Sequence, residues 1–422
     1  NIVNNGFITS RLKTGTPPRI SSDSINWDMV SLSKGDENPT PFSILSPRPF
    51  SAKNVPCYVV DTNVNVHSEL RDHLNESAMY SGAITAIGPR YCPSIEDKVV
   101  RFAKRNKHHL FLEPEWLGSS QIYVNGFSTS MPRYVQERAL QQIPALKSVS
   151  FIRPGYAIEY DYLPTHQLKS TLETKQISGL YFAGQLNGTS GYEEAAAQGL
   201  MAGINAALKL LDKEPFILER NQAYIGVLID DLITKDIDEP YRMFTSSAEH
   251  RLSLRGDSAS MRLTEIGHRI GIISQKQYDI FTKYSDSVNE IKKCCINTYV
   301  NIDKKAITLR DYLKRPEKGI FDKDIFSRFP YEYSKEAFFT AESDIKYEGY
   351  VKIENTRVEK IKKLEKIIIP FHFNYESLPG LSNESREKLL RVQPETLGQA
   401  SRLAGVRPAD ISILAIYLHS YK

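Results

Sequence analysis

The chain has 422 residues, enough to bury sizeable cores in about two or three domains. Its 54 lysines and arginines nearly balance 50 aspartates and glutamates, so the net charge of +4 does not by itself indicate a nucleic-acid partner. No apolar run reaches membrane-spanning length, and no signal peptide opens the sequence. The composition is that of an ordinary soluble globular protein.

The cysteines Cys57, Cys92, Cys294 and Cys295 form neither a C-x-x-C pair nor a His-rich zinc pattern. We therefore predict no metal site. Because adjacent cysteines rarely bond each other, we also predict a reducing compartment. Cys57 is predicted to lie in a core, and Cys294 and Cys295 to be structural. The sequence begins at Asn1 without an initiator methionine, and its first residues are typical of the middle of a domain, so we expect a fragment of a longer protein.

The predicted elements alternate between strands and helices up to about residue 212 and are helical after residue 215. Residues 1 to about 55, rich in Pro, Ser and Asn, are predicted to be loops, apart from a strand-like segment at 6–8. The predicted strands are 58–63, 111–115, 121–126, 149–153, 156–162 and 180–183. The predicted helices are 66–74, 94–106, 133–143, a helix from 193, 216–229, 261–267, 275–296 and 355–367. This pattern favours an α/β or α+β first half.

A glycine-rich turn follows the apolar run 180–183, which is expected to form a parallel strand covered on both faces. Gly184, Gly188 and Gly191 lack side chains where the backbone must turn sharply or approach a ligand. The first turn of the next helix is predicted to point free N–H groups at an anion. The whole segment thus has the order that a nucleotide-binding fold needs to hold a pyrophosphate.

The helix after this turn has small residues at Ala196, Gly199 and Gly203, predicted to allow close packing on a sheet. A strand-turn-helix without any ligand explains the same pattern. The acidic Glu193 and Glu194 suit a helix N terminus in either case.

Cys92 lies beside a predicted helix start. Pro93 suits the first helical position, which would place Cys92 near the N-cap. The positive helix end and the guanidinium of Arg90 would favour the thiolate, a nucleophile able to add to an electrophilic ring carbon. A small buried hydrophobic residue at a turn is the alternative.

Basic residues occur in two informative segments of the first 255 residues. Arg11, Lys13 and Arg19 flank a Thr-Gly-Thr-Pro-Pro turn, which suits phosphate, but structural ion pairs explain them equally well. Residues 239–255 interleave arginines with aromatic side chains. That mixture suits RNA, while a buried junction between helices is the alternative.

The last fifty residues predict a small helical module. Ser382 is a candidate N-cap, Gly405 ends one helix and Pro408 starts another. The module is predicted to present three arginines, Arg391, Arg402 and Arg407. A generic helix-turn-helix packing unit is the alternative.

Six motifs, in order along nearly the whole chain, resemble the MnmG (GidA) family. They are RLKTGTPPR (11–19), GPRYCPSIEDK (88–98), RPGYAIEYD (153–161), FAGQLNGTSGYEEAAAQG (182–199), EPYRMFTS (239–246) and PETLGQASR (394–402). The resemblance implies an FAD-dependent enzyme that acts with the GTPase MnmE. Together they would install a 5-carboxymethylaminomethyl or related aminomethyl group on the wobble uridine of tRNA. It also implies that methylenetetrahydrofolate supplies the carbon and that NADH reduces the flavin.

The resemblance also assigns roles to residues. It implies FAD contacts at Gly184, Gln185, Asn187, Gly188, Thr189, Gly191 and Glu193. It implies an NAD-associated stretch made of Gly88, Pro89, Arg90, Tyr91, Cys92, Pro93, Ser94, Ile95, Glu96, Asp97, Lys98, Val99, Val100, Arg101 and Phe102, within which Cys92 is the catalytic candidate. Together with the basic segments, it gives the nucleic-acid candidates Arg11, Lys13, Arg19, Arg242, Arg251, Arg255, Arg391, Arg402 and Arg407.

The fold implied by the resemblance is an α/β flavoprotein with two dinucleotide-binding domains, followed by an α-helical C-terminal region. The expected boundaries are 1–17 (remnant of the FAD domain), 18–155 (inserted NAD domain), 156–213 (return to the FAD domain), 214–350 (helical domain) and 351–422 (C-terminal helical subdomain). The family's first glycine-rich FAD motif is missing before Asn1. Ser258 and Ser260 depart from the family pattern, as does His250, and these departures concern RNA contacts.

The partners implied are tRNA, MnmE bound through the helical region in a heterotetramer, and a second copy in a homodimer. The implied location is the bacterial cytoplasm, or the mitochondrion for an organellar homologue. Two other functions stay open: a folate- and FAD-dependent tRNA uridine methyltransferase similar to TrmFO, which lacks the long helical extension, and a non-catalytic tRNA- or MnmE-binding fragment. A generic NAD(P)H flavin reductase is a further alternative.

Overall fold

The computed structural model describes residues 2–47, 49–51, 54–89, 93–235, 237, 239–302, 305–329 and 333–420, without the side chains of residues 360 and 420. The strands of the first half are β1 (Ser10–Gly15), β2 (Arg19–Ser21), β3 (Ser31–Ser33), β4 (Cys57–Asp61), β5 (His109–Pro114), β6 (Gln121–Asn125), β7 (Phe151–Arg153) and β8 (Ala157–Tyr162). Its helices are α1 (Val64–Asp72), α2 (Ile95–Arg101), α3 (Arg133–Gln141) and α4 (Tyr192–Leu210).

A six-stranded antiparallel sheet in the order β3-β4-β5-β6-β2-β7 forms the centre of the first half. Side chains alternate along its strands: Leu110 and Leu112 of β5 are fully buried, whereas Phe111 between them is 39% exposed. Helices α1, α2 and α3 contribute buried residues to the same core. The alternation of strands and helices in the sequence therefore produces a helix-covered sheet, but its neighbouring strands are antiparallel.

A second, two-stranded antiparallel ribbon of β1 and β8 lies outside this sheet, with Ser10 opposite Tyr162 and Gly15 opposite Ala157. From β8 the chain continues to a 3-10 helix, Gly184–Asn187, and then to α4. A separate core contains residues of this 3-10 helix and of α4. The glycine-rich turn is thus supported by a core distinct from that of the six-stranded sheet.

Two predictions for this region are wrong. The run 180–183 is not a parallel strand, because its one ladder contact among the described residues is an antiparallel bridge between Tyr181 and Glu173. An extended segment becomes a strand only when a neighbour supplies regular hydrogen bonds. The small residues Ala196, Gly199 and Gly203 are exposed on α4 instead of packing on a sheet.

The prediction of loops over residues 1–55 is also wrong in part, since β1, β2 and β3 lie there. These strands are short and polar, and their partners β8, β6, β7 and β4 come from later in the chain. Propensity within the segment therefore gives little signal. The strand-like segment 6–8 forms no strand in the described structure.

The second half contains helices α5 (Tyr224–Thr234), α6 (Ala259–Arg269), α7 (Gln275–Asn297), α8 (Leu309–Leu313), α9 (Lys323–Phe326), α10 (Lys335–Glu365), α11 (Asn383–Val392), α12 (Leu397–Arg402) and α13 (Pro408–Ser420). An unpredicted antiparallel hairpin of β9 (Tyr299–Ile302) and β10 (Lys305–Thr308) interrupts them. The predicted helix 216–229 starts too early, and the predicted helix 355–367 covers only the end of the 31-residue α10.

Helices α11, α12 and α13 pack with the end of α10 around one core, which forms the predicted C-terminal module. The predicted N-cap is confirmed, because the Ser382 hydroxyl accepts a hydrogen bond from the backbone N–H of Ser385. Pro408 begins α13 as predicted. The preceding helix ends at Arg402, ahead of Gly405. Across the described ranges, we find no helix with the length and apolar character to cross a membrane.

Candidate functional site

The glycine-rich turn has the backbone that its glycines predict. Gly184 and Gly188 have φ angles of +82° and +77°, in the left-handed region that favours glycine. Gly191 is the N-cap residue of α4, and a Cβ atom there would lie 1.7 Å from Oε2 of Glu194. Side chains are therefore disfavoured at all three positions, by the positive φ at Gly184 and Gly188 and by the Glu194 carboxylate at Gly191.

Gln198, which sequence reasoning missed, holds this turn together. Its fully buried side-chain oxygen accepts hydrogen bonds from the Gly184 N–H (3.1 Å) and from Nδ2 of Asn187 (2.8 Å). Its side-chain nitrogen donates to Oγ1 of Thr189 and to the carbonyl of Glu194, both at 3.0 Å. An amide within an alanine-rich helix, one turn after Glu194, was the available signal, because a buried polar side chain needs partners.

The carboxylate of Glu194 lies near the start of α4, where the sequence predicted free N–H groups facing an anion. Glu194 is 4% exposed, and its Oε1 accepts hydrogen bonds from Nε of Arg242 (3.2 Å) and from the Met243 N–H (2.9 Å). A negative charge is favourable at a helix N terminus, and in this protein the Glu194 carboxylate provides that charge. A second anion there would be repelled. The start of α4 thus fits an uncharged polar part of a ligand better than the predicted pyrophosphate.

The predicted FAD residues of this turn fall into two groups. Gln185 and Glu193 are exposed, so their side chains are free to contact a ligand. Asn187 and Thr189 are at most 1% exposed, and Thr189 donates its hydroxyl hydrogen to the carbonyl of Gly184 at 3.0 Å. These two buried residues shape the turn from inside.

Two buried polar atoms around the turn have no hydrogen-bond partner among the described residues: Asn187 Oδ1 and Glu194 Oε2. The Tyr160 hydroxyl is also buried; burial raises the pKa of Tyr160, and a hydrogen-bonding interaction with the Gln185 side chain opposes that effect. Buried polar atoms without partners are rare in folded proteins. A bound group with several hydrogen-bonding atoms, such as a flavin, fits this arrangement.

The stretch predicted to bind NAD, residues 88–102, is only partly described. Three of its members lie outside the described residues: Arg90, Tyr91 and Cys92. Just before them, Ile87 bridges to β1, and a Cβ atom on Gly88 would lie 3.3 Å from the Lys13 side chain. Gly88 and Pro89 have no regular secondary structure. The reactive thiol at Cys92 stays a prediction.

The prediction that Pro93 takes the first helical position is wrong, although the helix does begin within one residue of the predicted start at about Ser94. Ser94 is the N-cap residue, since its Oγ accepts a hydrogen bond from the Asp97 N–H at 3.1 Å, and α2 begins at Ile95. A serine that caps with its own side chain competes with Pro93 at the first helical position, and the serine prevails. Cys92 therefore precedes the N-cap by two residues, which weakens the expected effect of the helix dipole on its thiol.

The inner face of α2 packs against the core of the six-stranded sheet. Ile95 and Val99 belong to the core of the six-stranded sheet. Glu96 is fully buried and accepts hydrogen bonds from Oγ1 of Thr129 and the N–H of Ser130, each at 2.8 Å. These buried residues are therefore unsuited to contact NAD as predicted. The exposed members of the stretch are Val100, Arg101 and Phe102.

Lys98 also has a structural contact, because its ammonium group donates to the Gly126 carbonyl at 2.9 Å. Asp97 accepts a hydrogen bond from the Tyr80 hydroxyl at 3.0 Å, and this carboxylate together with burial raises the pKa of Tyr80 to about 12. The helix α2 is thus anchored to its surroundings on several sides.

Three arginines predicted to contact nucleic acid are largely buried in ion pairs. Arg19 is 14% exposed, with its guanidinium 4.9 Å from the ring centre of Tyr123 and paired with Glu115. Arg255 is 13% exposed and pairs with Asp344 at 2.7 Å. The structure therefore agrees with the alternatives to RNA binding that the sequence left open. These were structural ion pairs for Arg19 and a buried junction between helices for Arg255.

Arg402 is the third such arginine, and it joins the C-terminal module to the rest of the chain. It is 19% exposed and pairs with Asp230 at 2.6 Å and with Glu365. A guanidinium held by two carboxylates has no free fork for phosphate. The prediction that this arginine is presented to tRNA is therefore wrong.

Of the six other basic candidates, Lys13 is half-buried and five are exposed: Arg11, Arg242, Arg251, Arg391 and Arg407. Arg11 and Arg407 are 54% and 60% exposed, although each pairs with a carboxylate at 2.8 Å. Arg242 also contacts Glu194 beside the glycine-rich turn. Arg251 is exposed on the arginine- and aromatic-rich segment.

Two family models match the chain. One, described as glucose inhibited division protein A, matches residues 1–214. The other, described as the C-terminal helical bundle of the tRNA modifying enzyme MnmG/GidA, matches residues 357–422. The matches include the glycine-rich turn and the C-terminal module.

Similar proteins include the tRNA uridine 5-carboxymethylaminomethyl modification enzymes MnmG of Chlorobium phaeobacteroides and Lactococcus lactis. They are 48% and 47% identical over 99% and 98% of this chain, which covers 70% and 69% of their lengths. The solved structure of Aquifex aeolicus GidA in its form II crystal has a TM-score of 0.89 at 40% identity. That match covers 99% of this chain and 68% of the other. This likeness confirms the predicted fold class, an α/β flavoprotein fold with a helical C-terminal region.

Proposed function

Because the chain belongs to the MnmG/GidA family, we propose that it is part of an FAD-dependent enzyme that modifies the wobble uridine of tRNA. The proposed product carries a 5-carboxymethylaminomethyl or related aminomethyl group on C5 of the base. The observation that carries the proposal is the turn fixed by Gln198, which leaves unpaired buried polar atoms beside the exposed Gln185.

FAD supplies hydride transfer when bound. In this chain Gln185 and Glu193 are the side chains proposed to contact it, with the backbone at Gly184, Gly188 and Gly191 allowing close approach. Gln198 holds the turn, and the carboxylate of Glu194 disfavours a phosphate at this point. We therefore assign this turn to an uncharged part of FAD. NADH and methylenetetrahydrofolate are the proposed reductant and one-carbon donor.

Cys92 is the proposed nucleophile of this chain. Addition of its thiolate to C6 of uracil would break the C5–C6 double bond and leave an enolate with nucleophilic character at C5. C5 would then form a bond to the methylene carbon of methylenetetrahydrofolate, and an amine would later replace the folate nitrogen on that carbon, so that tetrahydrofolate leaves. Loss of the C5 proton and elimination of the thiolate would restore the double bond. This role rests on the position of Cys92 in the GPRYCPSIEDK motif.

The partners proposed are tRNA and MnmE, with homodimerisation and a cytoplasmic location, or a mitochondrial one for an organellar protein. Arg251, which is exposed in the helical half, is the arginine proposed to contact phosphate. We also propose the domain boundaries stated above, since the sheet core spans residues 20–149 and a second family match starts at 357.

A Cys92→Ser variant tests the proposed chemistry. Purified with its flavin, it should keep the visible flavin absorbance but form no modified uridine, measured by mass spectrometry of tRNA nucleosides. Cys57→Ser is the matched control, because Cys57 is half-buried and burial raises its pKa, which disfavours a thiolate. Unchanged modification by Cys92→Ser would refute the nucleophile. Protein without flavin that still binds tRNA would indicate a non-catalytic binding fragment instead.

A further inference from the structure

The backbone of Tyr241 is hydrogen-bonded to the glycine-rich turn. The Tyr241 N–H donates to the carbonyl of Gly188 at 2.8 Å, and the Ser190 N–H donates to the carbonyl of Tyr241 at 3.4 Å. Thr189 and Tyr241 form an isolated parallel bridge. The backbone of the turn therefore depends on where Tyr241 is held.

Tyr241 is in turn fixed by its hydroxyl, which donates to Oδ2 of Asp231 at 2.9 Å. Asp231 is 1% exposed and also receives Nη1 of Arg220 (2.6 Å) and Nζ of Lys235 (2.7 Å). Burial and the neighbouring Asp231 carboxylate raise the pKa of Tyr241, so its hydroxyl stays a donor. A buried carboxylate with three donors is a fully satisfied anchor.

The same arginine continues the network toward the C-terminal module. Nη1 of Arg220 also donates to Oδ2 of Asp230 at 2.9 Å. Asp230 in turn accepts a two-pronged contact from Arg402, with Nε at 2.8 Å and Nη2 at 2.6 Å. Arg402 also pairs with Glu365 at the end of α10. The chain of contacts thus runs from the turn at residues 188–190 to helix α12.

The network borders a cavity of about 400 Å³ that is lined by Arg220, Asp230, Glu365 and Arg402, together with aliphatic side chains of α5 and α10. Removing Arg402 would leave Asp230 with Arg220 as its remaining ion-pair partner among the described residues, beside space that water can enter. Within the described chain, Arg220 would then be the sole cation facing Asp230 while it also pairs with Asp231 and Glu249, so we expect this cluster to rearrange.

We propose that Arg402 and Tyr241 are positioning residues at the two ends of one polar network, through which docking of the C-terminal module fixes the glycine-rich turn. The geometry of the turn is the direct consequence. Its meaning for FAD binding rests on the proposed function, whereas the mechanical coupling does not.

Hydrogen exchange measured by mass spectrometry on the full chain tests the coupling without any cofactor. The readouts are the backbone amides of Ser190 and Tyr241. Arg402→Met should speed their exchange by about tenfold or more, as should Tyr241→Phe, which removes only the hydroxyl. Because both act on one network, the double variant should exchange about as fast as the faster single variant, not at the product of the two accelerations.

Arg255→Met is the matched control, since Arg255 is similarly buried in ion pairs but, within the described part of the chain, pairs with Asp257 and Asp344 outside this network. It should leave exchange at the turn unchanged. Unchanged exchange in Arg402→Met, multiplicative effects in the double variant, or equal acceleration by Arg255→Met would each overturn the proposal. If Arg402→Met does not fold, Tyr241→Phe decides, and unchanged exchange there overturns it. If the wild-type protein does not bind FAD, the proposed function is overturned, but the mechanical coupling is not.

Discussion

Replacing Gln198 by leucine should open the glycine-rich turn while leaving the side-chain volume nearly unchanged. The substitution removes the acceptor of two buried donors, the Gly184 N–H and one N–H of Asn187. A buried donor without a partner costs about 1–3 kcal/mol, so the local cost is about 2–6 kcal/mol. The lower figure corresponds to roughly 30-fold faster opening, because each 1.4 kcal/mol is a factor of ten.

Native-state hydrogen exchange of the Gly184 amide measures this opening directly, without requiring the whole chain to unfold in one step. Gln185→Ala is the control, since Gln185 is exposed on the same turn. Both variants should weaken FAD binding, but only Gln198→Leu should speed exchange at Gly184. Exchange in Gln198→Leu within about threefold of wild type would refute the role given to Gln198.

Three further outcomes follow from the structure. Gly191→Ala should lower the thermal midpoint and weaken FAD binding, because the added methyl group would collide with a buried carboxylate 1.7 Å away. Burial lowers the pKa of His67 and His108, so the unfolded chain binds more protons once the pH falls below about 6.5. In urea unfolding, the free energy of unfolding of the part built on the six-stranded sheet should therefore decrease as the pH falls from about 7 toward 5. In a His67→Gln variant this decrease should be smaller. Arg251→Ala should weaken tRNA binding roughly threefold at low salt without changing the thermal midpoint. Arg255→Ala should leave tRNA binding unchanged but lower the free energy of unfolding by about 3 kcal/mol. If both variants weakened tRNA binding equally, the distinction between an RNA-contacting Arg251 and a structural Arg255 would be contradicted.

The parts of the site that sequence reasoning predicted are those set by local backbone chemistry. Gly184 and Gly188 adopt positive φ, as a sharp turn requires, and Ser382 caps its helix with its own hydroxyl. These features depend on residues within three or four positions of each other. A single sequence therefore carries enough information to place them.

The parts that failed depend on partners far along the chain. Arg402 looked like an exposed cation, but its carboxylate partner Asp230 is 172 residues away. The run 180–183 had the composition of a buried strand, yet strand formation depends on neighbours that composition does not specify. Sequence periodicity also did not reveal that the Gln198 side chain forms four hydrogen bonds in the folded structure.

The prediction of Pro93 at the first position of α2 failed for a different reason, because two local signals competed. Pro93 at the first helical position and Ser94 as N-cap are both favourable, and they place the helix start two residues apart. Capping by Ser94 prevails, so in the sequence Cys92 precedes the N-cap by two residues.

The central claim, an FAD-dependent modification of tRNA, is tested most directly by nucleoside analysis after reaction. The purified protein is incubated with FAD, NADH, methylenetetrahydrofolate, MnmE and unmodified tRNA, and the digested nucleosides are measured by mass spectrometry. We expect an aminomethyl-type group on the wobble uridine that is absent when FAD is omitted. Unmodified wobble uridine in the complete reaction, or modification at the same level without any flavin, would contradict the proposed function.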